Sequence, residues 1–134
     1  MATADPVGTA VLSIGAGATV GTACTTAGVL ALRLLQGGDP AALPADVGGM
    51  ILSVAVSVGL FAAVLTGWFS SRAIDDTWRR GVTAALAVFG TVLLSVLATP
   101  IDLVAGPVGL AAYLVVLIVL AVRFLRAARR AAAA

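Results

Sequence analysis

"GATVGTACTTAG", Gly17 to Gly28, sets four threonines among three glycines and three alanines. A β-strand favours the branched threonines but not this much glycine. A helix in water would show a charged stripe, and none is present. A helix immersed in lipid meets both objections. Its small residues let neighbouring backbones approach closely, and its hydroxyls can bond the carbonyl of the preceding turn. The stretch therefore reads as the middle of a membrane-crossing helix.

The whole chain supports that reading. It has 134 residues, 61% of them hydrophobic and 10% charged, with a mean hydropathy of +1.15. A soluble domain carries about 25% charged residues, enough to cover its surface, and this chain cannot. It reads as an integral membrane protein. The net charge of +2 comes from arginine against aspartate alone; lysine, glutamate and histidine are absent. Arginine in place of lysine, with abundant alanine, glycine and valine, is the coding habit of a GC-rich prokaryote. The single cysteine, Cys24, allows neither an intrachain disulfide nor a multi-cysteine metal site.

Charges fall in clusters, and the apolar intervals predict helices at 7–35, 47–69, 80–98 and 104–125. At about 1.5 Å per residue each reaches across the ~30 Å hydrocarbon core, the third with least to spare. The expected fold is an all-α four-transmembrane-helix bundle of antiparallel neighbours in a single domain. Asp5-Pro6 and Asp39-Pro40 each set a capping aspartate before a proline, and "QGGDP", 36–40, stops the first helix.

Orientation follows the arginines. The connector "SSRAIDDTWRRG" and the tail "RFLRAARR" together hold seven of the eight. An even number of crossings puts both on one side with the N-terminus, opposite Asp39, Asp46 and Asp102. By the positive-inside bias that side is cytoplasmic, so both termini are expected there, in a prokaryotic plasma membrane. Trp68 and Trp78 flank the connector where an aromatic belt lies. They are expected to anchor the chain at the lipid surface, together with Arg123, Arg126, Arg129 and Arg130 of the tail. The first segment lacks the basic stretch of a secretory signal, and Gly21 is poorly suited to a lipoprotein site at Cys24. The segment is expected to remain as a helix.

Packing is expected from small residues. Gly17, Gly21 and Gly28 form a smooth strip on the first helix, Ser53 and Ser57 follow Gly49 on the second, and Thr91 and Ser95 lie on the third. Thr19, Thr22 and Thr26 make another strip that points toward Arg33, and Tyr113 sits mid-span needing a hydrogen-bond partner. These five are the candidates for a polar path.

The connections carry less. Asp75 and Asp76 stand four residues before Arg79 and Arg80, the spacing of helical ion pairs. In "ATPIDLVAGPVG" Pro100 is expected to end the third helix and Asp102 to cap the fourth, whose start at or before Pro107 stays open.

Without histidine or glutamate the chain has no haem or zinc ligand set and no base for a serine or cysteine nucleophile, and no cofactor is expected. All six aspartates lie at or beyond the expected helix ends, so no buried carboxylate marks a proton route. The expectation is a structural or accessory membrane protein, not an enzyme, acting through helix contacts. Its partners would be membrane lipid, copies of itself or a larger complex, and not nucleic acid. The alternative is an oligomeric channel, small transporter or lysis pore with a Thr/Ser-lined path.

Overall fold

The computed structural model describes residues 6–37, 44–70 and 77–133. It is all-helical, with α1 at Pro6–Gln36, α2 at Ala45–Ser70 and α3 at Thr77–Ala133. All three are long and apolar enough to cross a membrane. The caps expected at Asp5 and Asp39 lie outside the described residues, as do Arg72, Asp75 and Asp76 of the connector.

Local chemistry explains the ends. Gly37 adopts the left-handed conformation (φ 59°), and its N–H reaches back to the carbonyls of Arg33 and Leu34, each at 3.2 Å, closing α1. At the start of α2 the Pro44 carbonyl accepts from the N–H groups of Val47 and Gly48, both at 3.1 Å.

The expected four-helix bundle is overturned by α3. Residues 80–98 and 104–125, expected to be separate helices, belong to one element of 57 residues. Pro100 and Asp102, assigned above to a connection, are helical. Proline removes one intrahelical hydrogen bond but does not oblige a membrane helix to stop, because neighbouring groups can compensate. The break falls instead at Gly106, the sole residue of α3 with non-helical torsions (φ 65°, ψ −150°). That region of conformational space is essentially open to glycine alone. Pro107 follows, where a first helical turn tolerates the missing N–H.

A straight helix of this length would run about 85 Å. α3 folds back on itself at Gly106 instead, giving a first limb, 77–105, and a second, 107–133. Tyr113 Oη donates to the Leu94 carbonyl at 2.7 Å, joining residues 19 apart in sequence. Both limbs reach the same level of α1: a Cβ on Gly15 would meet the Phe124 ring at 2.9 Å, and one on Gly17 would meet Ala87 Cβ at 2.6 Å. The turn itself is tight, since a Cβ on Gly109 would come 2.5 Å from that of Ala105.

α1 lies at the centre. Of its apolar span 39% is buried, against 11% in α2 and 17% in α3. Its small face receives Ala55, Gly59, Ala63 and Gly67 of α2, spaced every four residues and all buried. The first limb of α3 offers Ala84, Ala87 and Thr91, and the bulkier second limb offers Leu110 and Leu117. Large apolar side chains elsewhere face outward, as in Phe61, Phe89, Val96 and Val115. That distribution suits surroundings of lipid, where burying leucine gains little and close backbone approach decides packing.

Candidate functional site

The strip Gly17, Gly21 and Gly28 lies where α1 meets its neighbours. A Cβ on Gly21 would approach the Gly59 carbonyl oxygen at 2.7 Å and Thr91 Oγ1 at 2.6 Å. A Cβ on Gly28 would sit 2.2 Å from that of Ala55. Ser53 and Ser57 are corrected: both are exposed on the outer side of α2 and take no part in packing within the chain. The α2 seam runs two residues out of step with them, through Ala55, Gly59 and Ala63, which turns it about 200° around the helix. Both rows are small-residue rows at spacing four, so the pattern alone does not say which faces inward.

The threonines divide. Thr19 Oγ1 donates to Gly15 O at 2.8 Å and lies 3.1 Å from Ala16 O. Thr22 donates to Ala18 O at 2.7 Å, and Thr25 to Gly21 O at 3.0 Å. Tyr113 is held by Leu94. Three members of the expected polar path, Thr19, Thr22 and Tyr113, therefore donate to backbone carbonyls. Thr26 differs: its side chain is 2% exposed and its hydroxyl has no hydrogen-bond partner. Ser13 Oγ is likewise buried and unpartnered, and nothing in its surrounding sequence marked it.

Thr26 lines a cavity of about 240 Å³ between α1 and α3, with Thr25 and Arg33 from α1 and Ser95, Thr99 and Asp102 from the first limb of α3. Leu110 of the second limb closes one wall. Arg33 Nη2 donates to Asp102 Oδ2, with side chains 44% and 15% exposed. The sequence reading expected Asp102 to cap a helix; it is the partner of Arg33. What hid the pair was the count of elements, because a helix running through Asp102 carries this carboxylate alongside the end of α1. No strip of residues in the sequence joins Thr26, Arg33, Ser95 and Asp102. The first limb of α3, running on through Asp102, packs along α1 and brings them together; the back-folding adds only Leu110.

The opposite end of the molecule is basic. Because α3 doubles back, Arg79 and Arg80 at its start share an end with Arg123, Arg126, Arg129 and Arg130, all four of which are exposed. Arg80 Nη2 donates to the Trp68 carbonyl at 2.7 Å, and its guanidinium carbon stands 4.3 Å from the centre of the Trp68 ring, a cation–π contact. Trp68 is thus partly covered, whereas Trp78 is 76% exposed. Compared with protein-family models, curated proteins and solved structures, the chain matches none of them.

Proposed function

We propose that this chain is a structural or accessory protein of a prokaryotic plasma membrane, acting through helix packing with copies of itself or with a larger membrane complex. The supporting observation is the fate of the hydroxyls. Thr19, Thr22, Thr25 and Thr91 each donate to the carbonyl four residues back in their own helix and Tyr113 donates to Leu94 across the reversal of α3, so these hydroxyls are satisfied by backbone within the packed helices. The outward row of Gly49, Ser53 and Ser57 on α2 supplies a surface of the same small-residue type for a further helix. The arginines gathered at one end favour a cytoplasmic location for that end, and with it both termini.

Crosslinking in native membranes followed by co-purification tests the proposal. The expected product is a discrete homo-oligomer or a defined complex that Ser53→Leu and Ser57→Leu weaken. A second reading, a solute path through several assembled copies, draws on the cavity at Thr26 and Arg33. Solute flux in liposomes that disappears on Thr22→Val would favour it over the first.

A further inference from the structure

We propose that the cavity between α1 and α3 binds a small zwitterion, with the ligand's anionic oxygens on Arg33 and its ammonium on Asp102. This inference stands apart from the packing role above. The cavity volume is about 240 Å³, where one water needs only about 10–15 Å³ of such space. A phosphoethanolamine group or a small amino acid fits within it.

The lining sets the chemistry. The Arg33–Asp102 contact uses Nη2 and Oδ2, leaving Nη1, Nε and Oδ1 outside it. A guanidinium carries five N–H donors and a carboxylate about four lone-pair sites, so neither group is saturated by one bond. Ser95 and Thr99 add hydroxyls that donate or accept. The charged pair sums to zero. A bound anion alone would leave a net negative charge beside a mostly buried carboxylate, whereas a zwitterion keeps the site neutral and satisfies both poles.

Such a ligand has two sources, the headgroup of an ethanolamine phospholipid or a free zwitterion. Leu103 and Val104, next to Asp102, are 81% and 89% exposed and offer an apolar shoulder for an acyl chain. That shoulder favours the lipid.

Native mass spectrometry of the full detergent-purified chain tests this, with dioleoyl-phosphatidylethanolamine, dioleoyl-phosphatidylglycerol and free phosphoethanolamine as probes. Retention of the ethanolamine lipid over the glycerol lipid supports the inference with a lipid source. Retention of phosphoethanolamine without preference for its lipid supports it with a free source. Arg33→Gln and Asp102→Asn should each weaken retention about tenfold, the loss of one charged hydrogen bond. Ser95→Ala, a small change outside the ion pair, should weaken it severalfold and keeps the test valid if a charge variant fails to fold. Equal retention of both lipids without retention of phosphoethanolamine, retention of none of the probes, or retention unchanged in Ser95→Ala and Asp102→Asn overturns the inference.

Discussion

Thr22 and Thr91 hold the α1–α3 contact from both sides. Each hydroxyl donates to its own helix, Thr22 to Ala18 O at 2.7 Å and Thr91 to Ala87 O at 3.0 Å. Each also lies 3.4 Å from a carbonyl of the other helix, Thr22 from that of Thr91 and Thr91 from that of Ala18. A hydroxyl has one hydrogen, so the longer contact is the weaker branch of a shared bond. Cross-helix hydrogen bonds in membranes average about 0.6 kcal/mol. Thr22→Val and Thr91→Val should each cost about 0.6 kcal/mol, and because both crossing contacts end on backbone carbonyls that either substitution leaves in place, the two losses should add in the double variant measured by unfolding in micelles. Variants as stable as the parent would mean that the two threonines serve only their own helices.

Glycines on the two sides of α2 should respond in opposite ways. A Cβ on Gly59 would lie 2.1 Å from Thr25 Oγ1 and 2.7 Å from the Gly21 carbonyl oxygen. The second obstacle is backbone, so the helices themselves must part. Gly59→Ala should therefore destabilise by about 1–3 kcal/mol, the usual cost of overpacking. Nothing lies within 4 Å of a Cβ on Gly49. Gly49→Ala should be neutral or stabilise by up to about 1 kcal/mol, because alanine is the better helix former. Thermal unfolding of the two variants side by side makes the comparison.

The ion pair at the cavity is unequal. The Arg33 side chain is 44% exposed and can turn outward if its partner is lost, while that of Asp102 is 15% exposed and cannot. Arg33→Gln strands a mostly buried carboxylate and should cost about 1–3 kcal/mol. Asp102→Asn should cost less than about 1 kcal/mol, as for an exposed pair. Adding Asp102→Asn to Arg33→Gln should then restore part of the lost stability. A melting series in which Asp102→Asn is the more damaging change would reverse the assignment of which partner is buried.

Much of this was legible in the residues and some was not. The threonine and glycine density of 17–28 predicts a helix suited to lipid, and the structure places it within a helix long and apolar enough to cross a membrane. The positions of Gly37 and of the arginine clusters predict where α1 stops and which segments share an end. The α2 seam was misjudged because Ser53 and Ser57 form as regular a row as Ala55 and Gly59, and spacing carries no information about which side a partner occupies. Pro100 misled in a different way: proline reads as a stop, but its cost in a membrane helix depends on neighbours that spacing does not reveal. The cavity was hidden for the same reason, since a helix that continues through Pro100 carries Ser95, Thr99 and Asp102 alongside Thr26 and Arg33. Thr26 was identified by its position in a strip, and its lack of a partner needed three dimensions.

The reversal of α3 rests on one residue. Gly106 has φ 65° and ψ −150°, and no neighbour lies within 4 Å of where a Cβ would stand. The objection to a side chain there is thus torsional and not one of space. An alanine would hold the backbone in a region that costs about 1–3 kcal/mol per residue, or would pull 105–107 into a continuous helix. Continuous helix would carry the second limb away from α1, separating Tyr113 from Leu94 and Leu110 from the cavity. Gly106→Ala should therefore lower the unfolding midpoint. In the same variant, a thiol crosslink between cysteines placed at Gly15 and Phe124, in a background with Cys24→Ala, should form less readily than in the parent. Gly81, which also has nothing within 4 Å but shows no positive φ, is the control: Gly81→Ala should lower neither measurement. If Gly106→Ala and Gly81→Ala behave alike, the limbs are held together by their contacts alone, and the torsions of Gly106 are incidental.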